Sequence, residues 1–226
     1  MRVTLLFLLR IVLCFAQAPF SKTGQAIVVN KCNFPVYFES VGNSTPPVHS
    51  IAPNSLYRET FQLRPILNTT THNVTYAGIS IMLSPNQSIS LAADKSSAFD
   101  ESTITQFEYT YDPTKSPGLW YDISNVNGYV RTDTNGWNGV LPWPFQDGGL
   151  ILESTSSTCP AVNCPGGNPY HNSSCAQAYT HSQDDYATHA CSNNSSLVLT
   201  LCTTISSLDE IRTGEVQYCR QVAEVR

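Results

Sequence analysis

The sequence predicts an all-β sandwich, a single domain held together by disulfides. Three observations support this fold class: short segments rich in β-branched and aromatic residues recur, Gly, Pro, Asn and Ser separate them, and the 226 residues include 8 cysteines. No helical stretch of convincing length and no internal repeat is found. The expected organisation is a signal peptide at 1–18, the sandwich domain at 19–205 and a C-terminal tail at 206–226.

Eight segments carry the strand pattern. Turn signals such as Pro46-Pro47, Asn127-Gly128 and Gly166-Gly167 separate them at the spacing of a sandwich. In chain order the predicted strands are residues 25–29, 35–40, 56–62, 77–83, 104–111, 119–123, 150–152 and 197–202.

The N-terminus has the pattern of a secretory signal. Arg2 supplies a positive start, an apolar stretch follows at 3–16, and Ala16-Gln17-Ala18 is a small-residue cleavage site. The apolar stretch is too short for a comfortable membrane span, and the C-terminal tail is not hydrophobic, so no stable membrane anchor is expected. We expect a secreted protein, extracellular or associated with the cell wall, whose cysteines form disulfides.

Asparagine sequons are a second sign of secretion. A single N-x-Ser/Thr match is weak, but seven behind a signal peptide predict a glycoprotein with several sites occupied. The last two are adjacent and are expected to compete. The sites are Asn43, Asn68, Asn73, Asn86, Asn172, Asn193 and Asn194.

The net charge and the spacing of the histidines argue against several kinds of binding partner. The formal net charge of −5 argues against nucleic acid or an anionic membrane as partner. The histidines have no ligand spacing, so no metal or cofactor is expected and they are interpreted as surface residues. The aromatic residues Trp137, Trp143 and Phe145 form a turn-rich segment that either stacks on sugar rings or anchors the core.

Alternation in two predicted strands singles out a pair of acids. In segment 104–111, Glu108 lies on one face with Gln106, and the aromatic residues occupy the other face, which should be buried. In segment 119–123, Trp120 and Asp122 share a face. If the two strands form a hairpin across residues 112–118, Glu108 and Asp122 lie on one surface as a carboxylate pair.

Several of these motifs together resemble thaumatin-like proteins. They are the ladder of Cys175, Cys191 and Cys202, the pair Cys159 and Cys164, the stretch AIVVNKCNFPVYF and the stretch LWYDISNVNG. Within that superfamily the chain is most similar to small secreted fungal thaumatin-like antigens, including yeast-phase-specific proteins. This further likeness rests on the run ITQFEYT and on an Ala-Tyr-x4-Asp-Asp element.

The resemblance implies a disulfide pattern that spacing alone leaves open, since six cysteines allow many connectivities. It pairs Cys32 with Cys202, Cys159 with Cys191, and Cys164 with Cys175. Loss of Cys14 with the signal peptide would leave an odd number of cysteines. Cys219 is then the residue left over and is a candidate for an intermolecular disulfide.

The resemblance also implies an acidic cleft and shows what is missing from it. Plant members carry a cysteine-rich second domain where this chain has only residues 165–174, so the cleft would be open on one side. The family's cleft has an arginine, a glutamate and three aspartates. The middle aspartate is replaced by asparagine at position 127, and the strand at 77–83 offers no arginine. The matching positions are Glu108 (or Gln106 in an alternative alignment), Asp122, and Asp184 or Asp185.

Two functions follow from the resemblance. The favoured one is a non-enzymatic secreted glycoprotein that binds β-glucan or another cell-wall polysaccharide through Glu108, Asp122, Asp184 and Asp185. The alternative is an endo-β-1,3-glucanase or antifungal protein that uses Glu108 and Asp122 as its catalytic pair. An open cleft is expected to leave both carboxyls solvated with ordinary pKa values, which argues against catalysis.

Overall fold

Two β-sheets face each other and form a sandwich. The structure is a computed structural model that describes residues 24–42, 48–70, 73–85, 104–126, 143–167, 175–180 and 184–203. In chain order its strands are β1 (Gln25–Asn30), β2 (Val36–Val41), β3 (His49–Ile51), β4 (Ser55–Thr60), β5 (Pro65–Leu67), β6 (Val74–Tyr76), β7 (Ile79–Ser84), β8 (Thr105–Tyr111), β9 (Leu119–Ser124), β10 (Leu150–Ser154), β11 (Val162–Cys164), β12 (His189–Cys191) and β13 (Leu197–Leu201).

The first sheet has five strands in the order β11-β10-β13-β1-β4. The pair β1 and β13 is parallel, and the other neighbours are antiparallel. The second sheet has six strands in the order β12-β9-β8-β7-β2-β3 and is antiparallel throughout. Strands β5 and β6 form a separate two-stranded hairpin.

The core lies between the two large sheets, because each contributes one apolar face. Alternation buries Ala26 and Val28 from β1, and Phe107 and Tyr109 from β8. The predicted aromatic face of residues 104–111 is therefore buried. Trp143 and Phe145 are 2% and 1% exposed and pack in the same core, which confirms the core-anchor interpretation for these two residues.

Three disulfides join the ends and edges of the sandwich, and they match the pattern that the resemblance implied. Cys32–Cys202, Cys159–Cys191 and Cys164–Cys175 have Cα–Cα distances of 5.0, 5.4 and 5.1 Å. The first bridge connects the segments that follow β1 and β13. The candidate intermolecular residue Cys219 lies outside the described residues, as do the expected signal peptide and the C-terminal tail.

A single carboxylate links the two sheets at one edge. Glu59 on β4 accepts hydrogen bonds from the hydroxyls of Ser40 (2.9 Å), Tyr57 (2.7 Å) and Tyr109 (2.8 Å). It also accepts one from Nε2 of Gln62 at 2.8 Å. Since Ser40 and Tyr109 belong to the six-stranded sheet, these bonds join it to the edge of the five-stranded one. Hydrogen bonds to a charged acceptor are stronger than those between neutral groups.

All eight predicted segments overlap a strand of the structure. The strands that the sequence pattern missed are β3, β5, β6, β11 and β12, each three residues long. Three residues are too few to show alternation, and these five strands are not the compact apolar runs that identify residues 150–152.

Candidate functional site

The hairpin of β8 and β9 brings the predicted acids together. Its turn is fixed by Asp112, whose Oδ1 accepts from the backbone N (2.9 Å) and hydroxyl (2.6 Å) of Thr114. Lys115 adds an ion pair to Asp112 at 3.4 Å. In the resulting register Glu108 lies directly opposite Asp122, so the predicted carboxylate pair is formed. Directly opposed residues have Cβ atoms about 4.5–5.5 Å apart, so their side chains interact.

The pair lies on the outer face of the six-stranded sheet, among polar side chains. Ser80 on β7 is the other direct neighbour of Glu108, and its hydroxyl donates to Oε1 of Gln106 at 3.0 Å. Trp120, two residues before Asp122, lies on the same face. Gln106, the residue that the alternative alignment preferred, is thus a neighbour of the pair. The face offers acids, an amide, a hydroxyl and an aromatic ring on three adjacent strands, β7, β8 and β9.

Burial changes the ionisation of both acids. Glu108 and Asp122 are half-buried because β8 and β9 are interior strands, flanked by β7 and β12. Desolvation raises the pKa of Glu108, and desolvation together with the Glu108 charge raises the pKa of Asp122 to about 8. The expectation that both carboxyls are solvated with ordinary pKa values is therefore wrong. With a pKa of about 8, Asp122 is mainly protonated at neutral pH.

One carboxylate oxygen of the pair has no hydrogen-bond partner. Among the described residues, Oδ1 of Asp122 is buried and accepts no hydrogen bond. A buried carboxylate oxygen without a partner disfavours the charged form, which agrees with the raised pKa of Asp122.

The segment after Cys175 closes one side of this face. Tyr179 bridges to β9 beside Ser124, and its hydroxyl lies 2.7 Å from Oγ1 of Thr188 and 3.4 Å from Oδ1 of Asp185. Desolvation raises the pKa of Tyr179, and the charges of Asp122 and Asp185 raise it further. The hydroxyl of Tyr179 therefore lies close enough to Asp122 and Asp185 for both charges to act on it.

Asp184 has a different role from its neighbour. Its Oδ2 accepts from the backbone N and from the hydroxyl of Thr180, both at 2.9 Å. These bonds shape the turn that leads into the short 3-10 helix Asp185–Ala187. Of the two aspartates that the sequence left open, Asp185 is the one whose carboxylate reaches Tyr179, whereas this oxygen of Asp184 supports the local backbone.

His189 departs from the expected surface histidine. It is half-buried against the ring of Tyr121, with centroids 5.8 Å apart, and burial lowers its pKa. His49 is exposed, and the other three histidines lie outside the described residues. Within the described ranges, no group of three or more His, Cys, Asp or Glu side chains is arranged to hold a metal ion.

Four of the seven sequons can be located. Asn68, Asn73 and Asn194 are exposed, whereas Asn193 is half-buried and its Nδ2 donates to the backbone oxygens of Asp112 (3.4 Å) and Lys115 (3.0 Å). Since that nitrogen is the atom to which a glycan attaches, the fold favours Asn194 of the competing pair. Asn43, Asn86 and Asn172 lie outside the described residues, as do Trp137 and Asn127.

The residue facing Asn193 is a glycine for a steric reason. A Cβ atom on Gly118 would collide with Oδ1 of Asn193 and with the backbone oxygen of Asp112. Because residue 118 is a glycine, the turn of the β8–β9 hairpin packs directly against the segment that carries Asn193.

Comparisons with known proteins agree with this architecture. Residues 13–203 match the family model described as Bys1: Blastomyces yeast-phase-specific protein. The chain is 30% identical over 180 residues to an antigenic thaumatin-like protein of Arthroderma benhamiae, covering 79% of this chain and 71% of that one. It is 27% identical over 189 residues to the secreted thaumatin-like protein calA of Emericella nidulans, covering 84% and 87%.

Among solved structures, the protein elicitor MoHrip2 from Magnaporthe oryzae matches with a TM-score of 0.48 and 19% identity, covering 79% of this chain and 98% of that one. The disulfide-stapled sandwich and the relatives define a protein of the thaumatin-like class. Within that class, the chain belongs to the Blastomyces yeast-phase-specific protein family. No helix in the described ranges is long and apolar enough to cross a membrane.

Proposed function

We propose that this protein is a secreted, non-enzymatic glycoprotein that binds a cell-wall polysaccharide of the β-glucan type on the outer face of the six-stranded sheet. The observation that carries the proposal is the directly opposed pair of Glu108 and Asp122, with a buried oxygen of Asp122 that accepts no hydrogen bond from the described residues. Secretion is supported by the similarity to the secreted thaumatin-like protein of Emericella nidulans and by the signal pattern at 1–18.

The chemistry of this face suits a carbohydrate. A sugar presents adjacent hydroxyls, each able to donate and accept, together with a weakly apolar ring face. Because burial raises the pKa of Asp122 to about 8, that carboxyl is protonated at neutral pH and offers both a donor and an acceptor. Glu108, Gln106 and Ser80 add further acceptors and donors, and Trp120 supplies an aromatic ring on the same face.

The second candidate function is hydrolysis of β-1,3-glucan, and the raised pKa of Asp122 favours it. A protonated Asp122 beside Glu108 has the ionisation of a general acid next to a base or nucleophile. The geometry is less favourable. The two side chains rise side by side from adjacent strands, whereas the acids of a glycosidase flank the scissile bond.

One experiment distinguishes these functions. Purified mature protein is incubated with insoluble β-1,3-glucan and sedimented, and in parallel it is incubated with soluble laminarin while reducing ends are measured. We expect sedimentation with the glucan, weakened by Asp122→Ala and by Glu108→Gln, and no release of reducing ends. Sustained turnover that is lost in Glu108→Gln would establish the enzyme instead.

A matched variant controls for charge. Glu153→Gln removes one carboxylate from an exposed position on β10 in the other sheet, as Glu108→Gln does in the site, and it should sediment with glucan as the unchanged protein does. Equal weakening by all three variants would mean that net charge governs the interaction and would overturn the proposed site. Failure of the unchanged protein to sediment would overturn the binding function itself.

A further inference from the structure

The hairpin of β5 and β6 has an unusual surface. Its ladder runs from Arg64 and Ala77 at the base to Asn68 and Asn73 at the tip, where Asn68 N donates to Asn73 O at 2.9 Å. Both of its strands are exposed along most of their length. Three of the described large hydrophobic residues that are exposed lie on this hairpin, and they are the three most exposed aliphatic ones: Ile66 (52%), Leu67 (60%) and Val74 (51%).

Such a surface needs an explanation in a secreted protein. Isolated exposed aliphatic residues are ordinary, but Ile66 on one face of this small hairpin and Leu67 and Val74 on the other together form an apolar patch around it that favours association. A hairpin paired with no third strand is also marginally stable in water. The described residues of the two large sheets do not pair with β5 or β6, so the patch is not covered from that side.

The two sequons of this hairpin indicate what covers it. Asn68-Thr69-Thr70 and Asn73-Val74-Thr75 are both N-x-Thr sequons, and both asparagines are exposed at the tip. Alternation puts Asn68, Asn73 and Ile66 on one face of the hairpin. Each asparagine is also the chain neighbour of an exposed aliphatic residue on the other face, since Asn68 follows Leu67 and Asn73 precedes Val74.

We infer that the β5–β6 hairpin is a glycan-covered element: N-linked glycan on Asn68, Asn73 or both lies over the aliphatic patch and prevents it from associating. An N-glycan is bulky and strongly hydrated, so one attached within a residue of the patch excludes other molecules from it. This inference is independent of the ligand of the six-stranded sheet and holds whether or not that face binds glucan.

The test begins with occupancy. The full chain is secreted from a eukaryotic host that N-glycosylates, and the peptides containing Asn68 and Asn73 are analysed by mass spectrometry after enzymatic glycan release. Thr70→Ala and Thr75→Ala together remove both sequons while retaining both asparagines. Thr69→Ala is the matched control, because it changes the same turn and preserves the sequon. We expect at least one asparagine to be occupied in the unchanged protein and in Thr69→Ala.

The second measurement concerns the patch. Removing both sequons should raise the fluorescence of a bound hydrophobic dye severalfold and shift the sedimenting species from monomer to larger assemblies, with an unchanged circular dichroism spectrum. Adding Ile66→Ser and Leu67→Ser to that variant should restore the monomer, which assigns the effect to the hairpin. If the doubly altered chain is not secreted, trimming the glycans from the folded, unchanged protein with an endoglycosidase gives the same comparison.

Three outcomes would overturn the inference. The first is that both asparagines are unmodified in the secreted protein. The second is that their glycans can be removed with no change in dye binding or association. In the third, the glycosylated protein itself self-associates, and Ile66→Ser with Leu67→Ser abolishes that association, which would make a second copy of the chain the occupant of the hairpin.

Discussion

Replacing Asp122 by asparagine should stabilise the protein at alkaline pH, although Asp122 lies at the centre of the candidate site. Burial and the charge of Glu108 raise the pKa of Asp122 to about 8 in the folded state, compared with about 3.9 for an aspartate in an unfolded chain. Between these two values the folded protein holds a proton that the unfolded chain has released. The free energy of unfolding must therefore fall as pH rises through this window.

The structure sets the size of the effect. One proton difference changes the free energy of unfolding by at most about 1.4 kcal/mol per pH unit, which gives a ceiling of about 4 kcal/mol between about pH 5 and pH 8. Because Asp122 is half-buried rather than fully enclosed, we expect about 2 kcal/mol. Asparagine has no charge to develop, so Asp122→Asn should lose little stability over the same interval.

Urea unfolding followed by tryptophan fluorescence, with the disulfides intact, measures this difference. The two proteins should be similar in stability near pH 5, and Asp122→Asn should be more stable by about 2 kcal/mol above pH 8. Glu153→Gln, an exposed change of the same charge, should keep the slope of the unchanged protein. Parallel pH profiles for Asp122→Asn and the unchanged protein would refute the reasoning, because they would mean that Asp122 ionises normally in the fold.

Three further predictions concern stability. Glu59→Gln and Tyr109→Phe should each lower the free energy of unfolding by about 2–3 kcal/mol, and a double-mutant cycle in urea should show them to be non-additive because they share one hydrogen bond. Asn193→Ala should lower it by about 1–2 kcal/mol in thermal unfolding through loss of its two hydrogen bonds to the hairpin turn, with Asn194→Ala as a near-neutral comparison. Replacing Cys32 and Cys202 together by serine should remove about 5 kcal/mol on the chain-entropy model and reduce the secreted yield.

The central hairpin could be predicted from the sequence because its information is local. Alternation in residues 104–111 and 119–123, with turn residues between them, is enough to put Glu108 opposite Asp122 and to bury Phe107 and Tyr109. Strands of six or seven residues carry this signal clearly. The same rule fails for β5 and β6, where three residues leave no period to detect.

The properties of the site that depend on distant segments could not be predicted. Tyr179 reaches the pair from more than fifty positions along the chain, and β12 covers the far side of β9, so the solvation of Asp122 cannot be deduced from its own strand. Glu59 is similar. Its four donors come from four different positions on three segments, and nothing near Glu59 distinguishes it from a surface acid.

The position of β13 in the five-stranded sheet has a consequence for biosynthesis. This strand is the last of the described strands to be synthesised, yet it lies in the middle of its sheet, between β10 and its parallel partner β1. The pairing of β1 with β13 therefore cannot form until β13 has been synthesised, and the disulfide between Cys32 and Cys202 is delayed in the same way. Until Cys202 is synthesised, Cys32 can pair only with cysteines made before it, such as Cys159 and Cys164. Bridges formed in the order of synthesis would therefore be non-native and would need thiol–disulfide exchange before the sheet closes.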